Sequence, residues 1–545
     1  MYQATKHVLS TCEHLCALLP ESEKTKPQVL LLAGGVVEYR NDTDRELPFR
    51  QESNFRYLTG CDVPSSYVLV GYQPGTSLER TPSVELFIPE ANLADMMWSV
   101  PPPSLAAAQE THDVTRVDHP AALPAAIEKL LKALPSALFH EYLAPVLAHE
   151  GGAVTDFYLL SALHRARLIK DEHEVSLIKK ACDISSRAHE VVMRVLGAAV
   201  KGAIVAGQGA GVERPLLPSE WLIEKEAEAE GIFVASCRRE GAVHQAYLPI
   251  VAASTRASTL HYCCNGGNDK EFAWGPVGAH DHHNSNSLSS GKNFKPQVLL
   301  IDAGCEWTCY ASDITRTMPI GNGGKFTPEA RAIYELVLEM QKAIPFLSFS
   351  FPFFQLTGHS QSCMEILKPG LHWDAAHLLS HRILVRGFQR LGIFKSPNSP
   401  NSGSWASEEA ILASGQSTAF YPHGLGHSLG MDVHDVPSAS KPAVNPTINK
   451  GVELGHSSFY EYLRLRVKLE AGMVVTVEPG IYFSPHLLAS VRESALIDHE
   501  VLKRYEAVGG VRIEDVVLIT PDGVENLTKV KSDVAWIEGV CSGAL

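Results

Sequence analysis

The chain has 545 residues, 45% of them apolar and 20% charged, which is material for more than one packed core and excludes a disordered or fibrous protein. Lys and Arg number 47 against 61 Asp and Glu, a net charge of −14 without a basic block, which argues against nucleic acid and membrane surfaces as partners. Eleven scattered cysteines with no C-x-x-C pair suit free thiols in a reducing compartment better than a disulfide framework. Lys6, His7, Glu13 and His14 leave no signal-peptide core near the amino terminus, and no apolar run is long enough to span a bilayer, so a cytoplasmic protein is expected.

In chain order, β-rich runs at 28–33, 65–72, 84–88 and 137–140 accompany a helical stretch, 122–134, with Ile127, Leu130, Leu131 and Leu134 on one face. Residues 1–165 therefore read as a mixed α/β domain. Gly151 and Gly152 loosen the chain. Asp171 and Glu174 then make a capping-box start to a long amphipathic helix, with Val175, Ile178, Cys182, Ser185, His189, Val192 and Leu196 along one side. Beyond it strands and helices alternate irregularly, so residues 166–545 are expected to form an α+β domain rather than a regular βαβ array.

Within that domain Thr327 caps a helix whose first turn is Pro328 and whose buried stripe is Ile333, Leu336, Val337 and Met340. Two stretches fit neither pattern. Residues 274–292 are polar and rich in Ser, Asn and His, as a solvated loop is. Residues 344–362 contain Pro345 and Pro352, which break the helix, yet removing them lets Ile366 and Leu367 resume its stripe. That stretch reads as an insertion, or as translated non-coding sequence.

Four segments carry chemistry. In VLLIDAGCEWTCYASDITRT, residues 298–317, an apolar strand ends in Asp302 and Asp313 lies on the return strand; folding about Trp307–Thr308 would bring them together. Paired carboxylates repel and call for a cation, whereas separately Asp302 is a turn cap and Asp313 a surface residue. In FYPHGLGHSLGMDVHD, residues 420–435, His423, His427 and His434 stand among glycines that let backbones pass closely while imidazoles reach one cleft. Glu478 ends the apolar strand 473–477 before a Pro-Gly turn. Glu514 alternates with apolar residues on a half-buried strand, where it needs a metal or a partner, Arg512 being the nearest.

Taken in the order Asp, Asp, His, Glu, Glu, these residues resemble the pita-bread metallopeptidases, and among them the proline-specific branch of Xaa-Pro aminopeptidase and prolidase. YRNDTDRELPFRQESNFRYLTG at 39–60 is similar to a patch of that family's N-terminal domain, and QAYLPIVAASTRASTLHY at 245–262 resembles a stretch ending in a substrate-facing His261-Tyr262. The resemblance implies an N-terminal aminopeptidase-P-like domain, 1–165, followed by a pita-bread catalytic domain, 166–545. It implies two divalent metal ions, most often Mn²⁺, bridged by Asp313 and Glu514, with Asp302 completing one site and His427 and Glu478 the other. Such an oxygen-rich set suits Mn²⁺ better than a cysteine-rich zinc site would.

By the same resemblance, a hydroxide bridging the metals is the nucleophile and Glu478 the proton shuttle. His423 and His434 bind the peptide and stabilise its tetrahedral intermediate, while His261 supports substrate and Arg512 the bridging carboxylate. Proline-containing peptides become the expected substrates, and a homodimer the expected assembly. The family pattern has glycine near Ser254 and a smaller residue than Arg256. The alternatives are a prolidase confined to Xaa-Pro dipeptides and a catalytically impaired peptide-binding relative. A creatinase-like hydrolase would not need all five ligands, and a methionine aminopeptidase would leave the N-terminal domain without a role.

Overall fold

In a computed structural model the apolar run 28–33 becomes β1 (Gln28–Ala33), buried at every position and paired with a strand on each edge. The structure describes residues 2–75, 81–148, 152, 154–202, 223–262, 295–343, 367–399, 403–442 and 457–545. The segments expected to be insertions, 274–292 and 344–362, lie outside these residues, as do Gly151 and Ile366. The chain divides into two compact units, Met1–Ile169 and Lys170–Leu545, so residue 165 falls inside the closing helix of the first unit, Phe157–Leu168.

The first unit holds a five-stranded mixed sheet in the order β4 (Arg116–Asp118), β3 (Ser83–Phe87), β2 (Tyr67–Tyr72), β1 and β5 (Leu138–Tyr142). Helix Leu123–Ala133 lays Ile127 and Leu130 against Val29, Leu69 and Phe87, while Leu131, expected on the same face, is 39% exposed at its margin. Helix Ala4–Leu18 has no counterpart among the sequence expectations. Its buried side includes His7 and Thr11, which blur the apolar period, and His7 stacks on Tyr57 at 4.2 Å between ring centroids.

The second unit has the expected α+β architecture. Asp171 caps helix Glu172–Lys201 and Glu174 completes the capping box; the helix buries every residue assigned to its apolar side. Thr327 likewise caps helix Pro328–Ala343, its Oγ1 accepting from Ala330 N at 3.2 Å. The unit has two three-stranded sheets, the first of which shares one apolar core with these helices and with Trp373–Leu391. The first sheet runs β10 (Thr315–Ile320), β7 (Gln297–Asp302), β6 (Ile250–Ala253), and the other β11 (Val474–Val477), β14 (Asp515–Ile519), β15 (Val524–Asn526). Two short ribbons complete it, β8 (Glu306–Trp307) with β9 (Tyr310–Ala311), and β12 (Gly480–Tyr482) with β13 (Gly510–Arg512). Among the described residues no helix is long and apolar enough to cross a membrane.

Candidate metal centre

β7 delivers Asp302 at its last residue, and β10 returns antiparallel with Thr315 opposite it. The sequence reading put the turn at Trp307–Thr308, which would set Asp313 opposite Asp302. The structure moves it by one residue: β8 pairs with β9, and Thr308 and Cys309 both take positive φ, 53° and 63°, as in a two-residue turn matched to strand twist. Asp313 is then diagonal to Asp302 on the same face, still within reach. The Tyr247 hydroxyl lies against Oδ1 of both carboxylates, 2.5 Å from that of Asp313.

The histidine segment runs beside β11. Thr476 N donates to His427 O at 2.9 Å, Glu478 N donates to Leu425 O at 2.8 Å, and His427 N donates to Thr476 Oγ1 at 3.1 Å. Gly426 permits this seam, because a Cβ there would stand 2.0 Å from Thr476 O. The approach sets His427 Nε2 at 3.3 Å from Asp313 Oδ2 and 3.4 Å from Glu478 Oε1.

Glu514 was expected on a half-buried strand. It is instead buried at the break between β13 and β14, where the chain leaves its pairing with β12 and joins β11. Its N donates to Thr315 O at 3.1 Å, and Thr315 Oγ1 donates to its Oε2 at 2.7 Å. The neighbour expected to neutralise it, Arg512, points elsewhere. Its Nη2 donates to Asp302 Oδ2 at 2.5 Å, its Nη1 to the Tyr482 hydroxyl at 2.9 Å and its Nε to Thr315 Oγ1 at 3.0 Å. Arg512 is 3% exposed, so its fork serves the protein's own groups.

Ligand atoms of Asp313, His427 and Glu514 all lie within 4.8 Å of one another. Burial pushes Asp302 up to about 6 and Glu478 up to about 7, and drives Glu514 well above the carboxylate range. Asp313 also feels burial, but His427 holds it below its usual value. The His427 tautomer sharpens the point. Nδ1 lies 3.1 Å from Ser428 O and must donate to it, which leaves Nε2 alone to face two carboxylates, as a lone pair in the neutral ring or with the single proton that their charges favour. Acceptors facing acceptors need a proton or a cation between them, and a backbone carbonyl on the far nitrogen is how metal-binding imidazoles are held. One phenolic proton on Tyr247 cannot serve both aspartates either. The donor set therefore fits divalent cations with oxygen-rich coordination.

The remaining expected residues rim this cluster. His423 Nδ1 donates to Gly424 O at 2.8 Å, so Nε2 accepts from the Tyr482 hydroxyl, also at 2.8 Å; Glu478 Oε2 lies 3.7 Å from Nδ1. His434 is exposed, its ring edge-on to His427 at 4.5 Å between centroids. His261 is exposed too, near enough for its charge to act on His423 and His434. Ser254, near the family's glycine, takes a φ of 55°, and Arg256 turns away to donate from Nε to buried Glu226 Oε1 at 2.7 Å. Tyr247, Tyr482 and Thr315 are the contributors that sequence reasoning missed.

Residues 176–521 match the family model for metallopeptidase family M24, and residues 12–139 that for the aminopeptidase P N-terminal domain. A probable Xaa-Pro aminopeptidase of Aspergillus clavatus is 34% identical, with 99% of this chain and 98% of that protein covered. A counterpart from Podospora anserina is 35% identical, covering 98% and 95%. Among solved structures, Pseudomonas aeruginosa aminopeptidase PepP superposes with a TM-score of 0.65 at 27% identity, covering 100% of this chain and 99% of that one. Zinc-substituted Escherichia coli aminopeptidase P in complex with product gives 0.65 at 25% identity, with 99% of each chain covered.

Proposed function

The chain belongs to metallopeptidase family M24, and we propose that it is an Xaa-Pro aminopeptidase, hydrolysing the bond between an N-terminal residue and a following proline. The observation that carries this reading is the convergence of Asp313, His427 and Glu514 within 4.8 Å in a chain that matches such enzymes over 99% of its length. The N-terminal unit is then the aminopeptidase-P-like domain and the second unit the catalytic one. Asp313 and Glu514 would be shared between two divalent ions, Asp302 would complete one site, and His427 and Glu478 the other; Mn²⁺ is the ion the oxygen-rich set favours. Bound there, such ions supply Lewis acidity toward a peptide carbonyl and acidify water near neutral pH.

The chain's own groups do the rest. Arg512 fixes Asp302 through Nη2, and Tyr482, held by the same guanidinium, fixes the His423 tautomer. Glu478 accepts a proton from the attacking water and returns it to the departing proline nitrogen. His434 hydrogen-bonds the scissile carbonyl as its oxygen gains charge, and His261 borders the substrate. No two of the eight described cysteines are joined in a disulfide, which supports a cytoplasmic home, and a homodimer is the assembly we expect.

A panel of Xaa-Pro dipeptides and Xaa-Pro-Yaa tripeptides with added Mn²⁺ tests the reading. Tripeptide cleavage is expected. Cleavage of dipeptides alone would make the protein a prolidase, and a chain that retains no metal after dialysis and gains nothing from Mn²⁺ would be a binding module.

A further inference from the structure

We propose that Lys170 is a positioning residue for His434, acting through Asp435. Lys170 Nζ donates to Asp435 Oδ2 at 2.9 Å, and both side chains are 1% exposed. Asp435 directly follows His434, whereas Lys170 precedes it by more than 260 residues, so this is a tertiary device and not a local cap. Buried ion pairs are kept only with close geometry, and the surroundings enforce it here. Lys170 N donates to Gly472 O at 2.9 Å, at the entry to β11, which fixes the base of its stem. Gly430 supplies the space, since a Cβ there would lie 2.3 Å from Asp435 Oδ2 and 2.9 Å from Lys170 Cε.

Asp435 is held at its backbone as well, its N donating to Ser428 O at 3.0 Å, one residue beyond His427. The next residue, Val436, takes a φ of 43°. A β-branched side chain is strained there, and such strain persists only where neighbouring contacts over-determine the backbone. His434 itself is exposed, so its own burial cannot set its aim. Its aim comes from the pinned residue beside it. The ion pair thus connects the start of the catalytic unit to the imidazole that faces substrate, an inference that rests on the peptidase reading of His434.

Lys170→Met keeps most of the stem and removes the charge, while Asp435→Asn removes the partner charge. Each should lower kcat about tenfold with unchanged metal content per chain, the usual effect of losing a support behind a site residue. In a His434→Ala background the same substitutions should cost less than about twofold, because residues that act as one unit are not additive. A crystal structure of K170M should show the His434 ring moved off its 4.5 Å edge contact with His427. Wild-type kcat in K170M (or in D435N, should K170M not fold), an undiminished loss in the His434→Ala background, or an unmoved ring would each overturn the proposal. A metal-loaded wild-type chain that cleaves no Xaa-Pro-Yaa peptide would overturn the peptidase reading instead, and the ring position would still decide the role of Lys170.

Discussion

Gly426→Ala isolates the backbone seam on which the candidate centre depends. The added Cβ would sit 2.0 Å from Thr476 O, so the histidine segment and β11 must part by about 1.4 Å to reach the 3.4 Å of ordinary contact. The hydrogen bonds across this seam are 2.8, 2.9 and 3.1 Å long, and that opening carries them past useful length. At about 1 kcal/mol net for each bond, the expected destabilisation is roughly 2–4 kcal/mol. The effect on metal should be larger than this, because coordination tolerates displacements of only about 0.2 Å and His427 Nε2 rides on the moved segment. Calorimetric melting in chelator reads the packing cost, and Mn²⁺ titration reads the site. Gly231→Ala serves as a control of opposite sign: it meets nothing within 4 Å inside helix Glu226–Arg239, so it should gain about 1 kcal/mol from helix propensity. A Gly426→Ala protein with wild-type melting and two tightly held metals would refute the close-approach argument.

Asp313→Asn and Glu514→Gln should nearly abolish turnover and lower the metal content, because each removes a carboxylate assigned to both ions; near-normal kcat with added Mn²⁺ would remove the bridging assignment. Mn²⁺ at a hundredfold excess over its Kd should raise the stability of the wild type by about 2.7 kcal/mol per independent site, a gain that thermal melting should find reduced in both variants. Arg512→Lys should lower kcat or metal affinity by about 10-fold or more, since one ammonium cannot replace a fork that reaches Asp302, Tyr482 and Thr315 together. Full activity in that variant would reduce Arg512 to a charge without geometry.

The residues of the candidate centre were legible where they violate a local rule. Asp302 ends a run of buried apolar residues, Glu514 sits among β-branched ones, and glycines flank the histidines for no purpose a solvated loop would have. Their register was harder to read. Thr308 and Cys309 make a turn with positive φ at both positions but carry neither Gly nor Asn, so the sequence offered no sign of where the hairpin folds. Partners were the least legible. Arg512 reads as the mate of Glu514 two residues away, yet its carboxylate is Asp302, 210 positions distant, and the Tyr247 hydroxyl that joins the aspartates is 55 and 66 residues from them. A side chain's type fixes what it can do, but its neutralising partner is set by topology. Assigning Arg512 to Asp302 leaves Asp313, Glu478 and Glu514 converging on one imidazole, whose Nε2 can carry at most a single proton, with no protein cation placed among the described residues to serve them all. That imbalance follows from which pairs the fold makes, and it is a stronger argument for bound divalent ions than the order of the five residues along the chain.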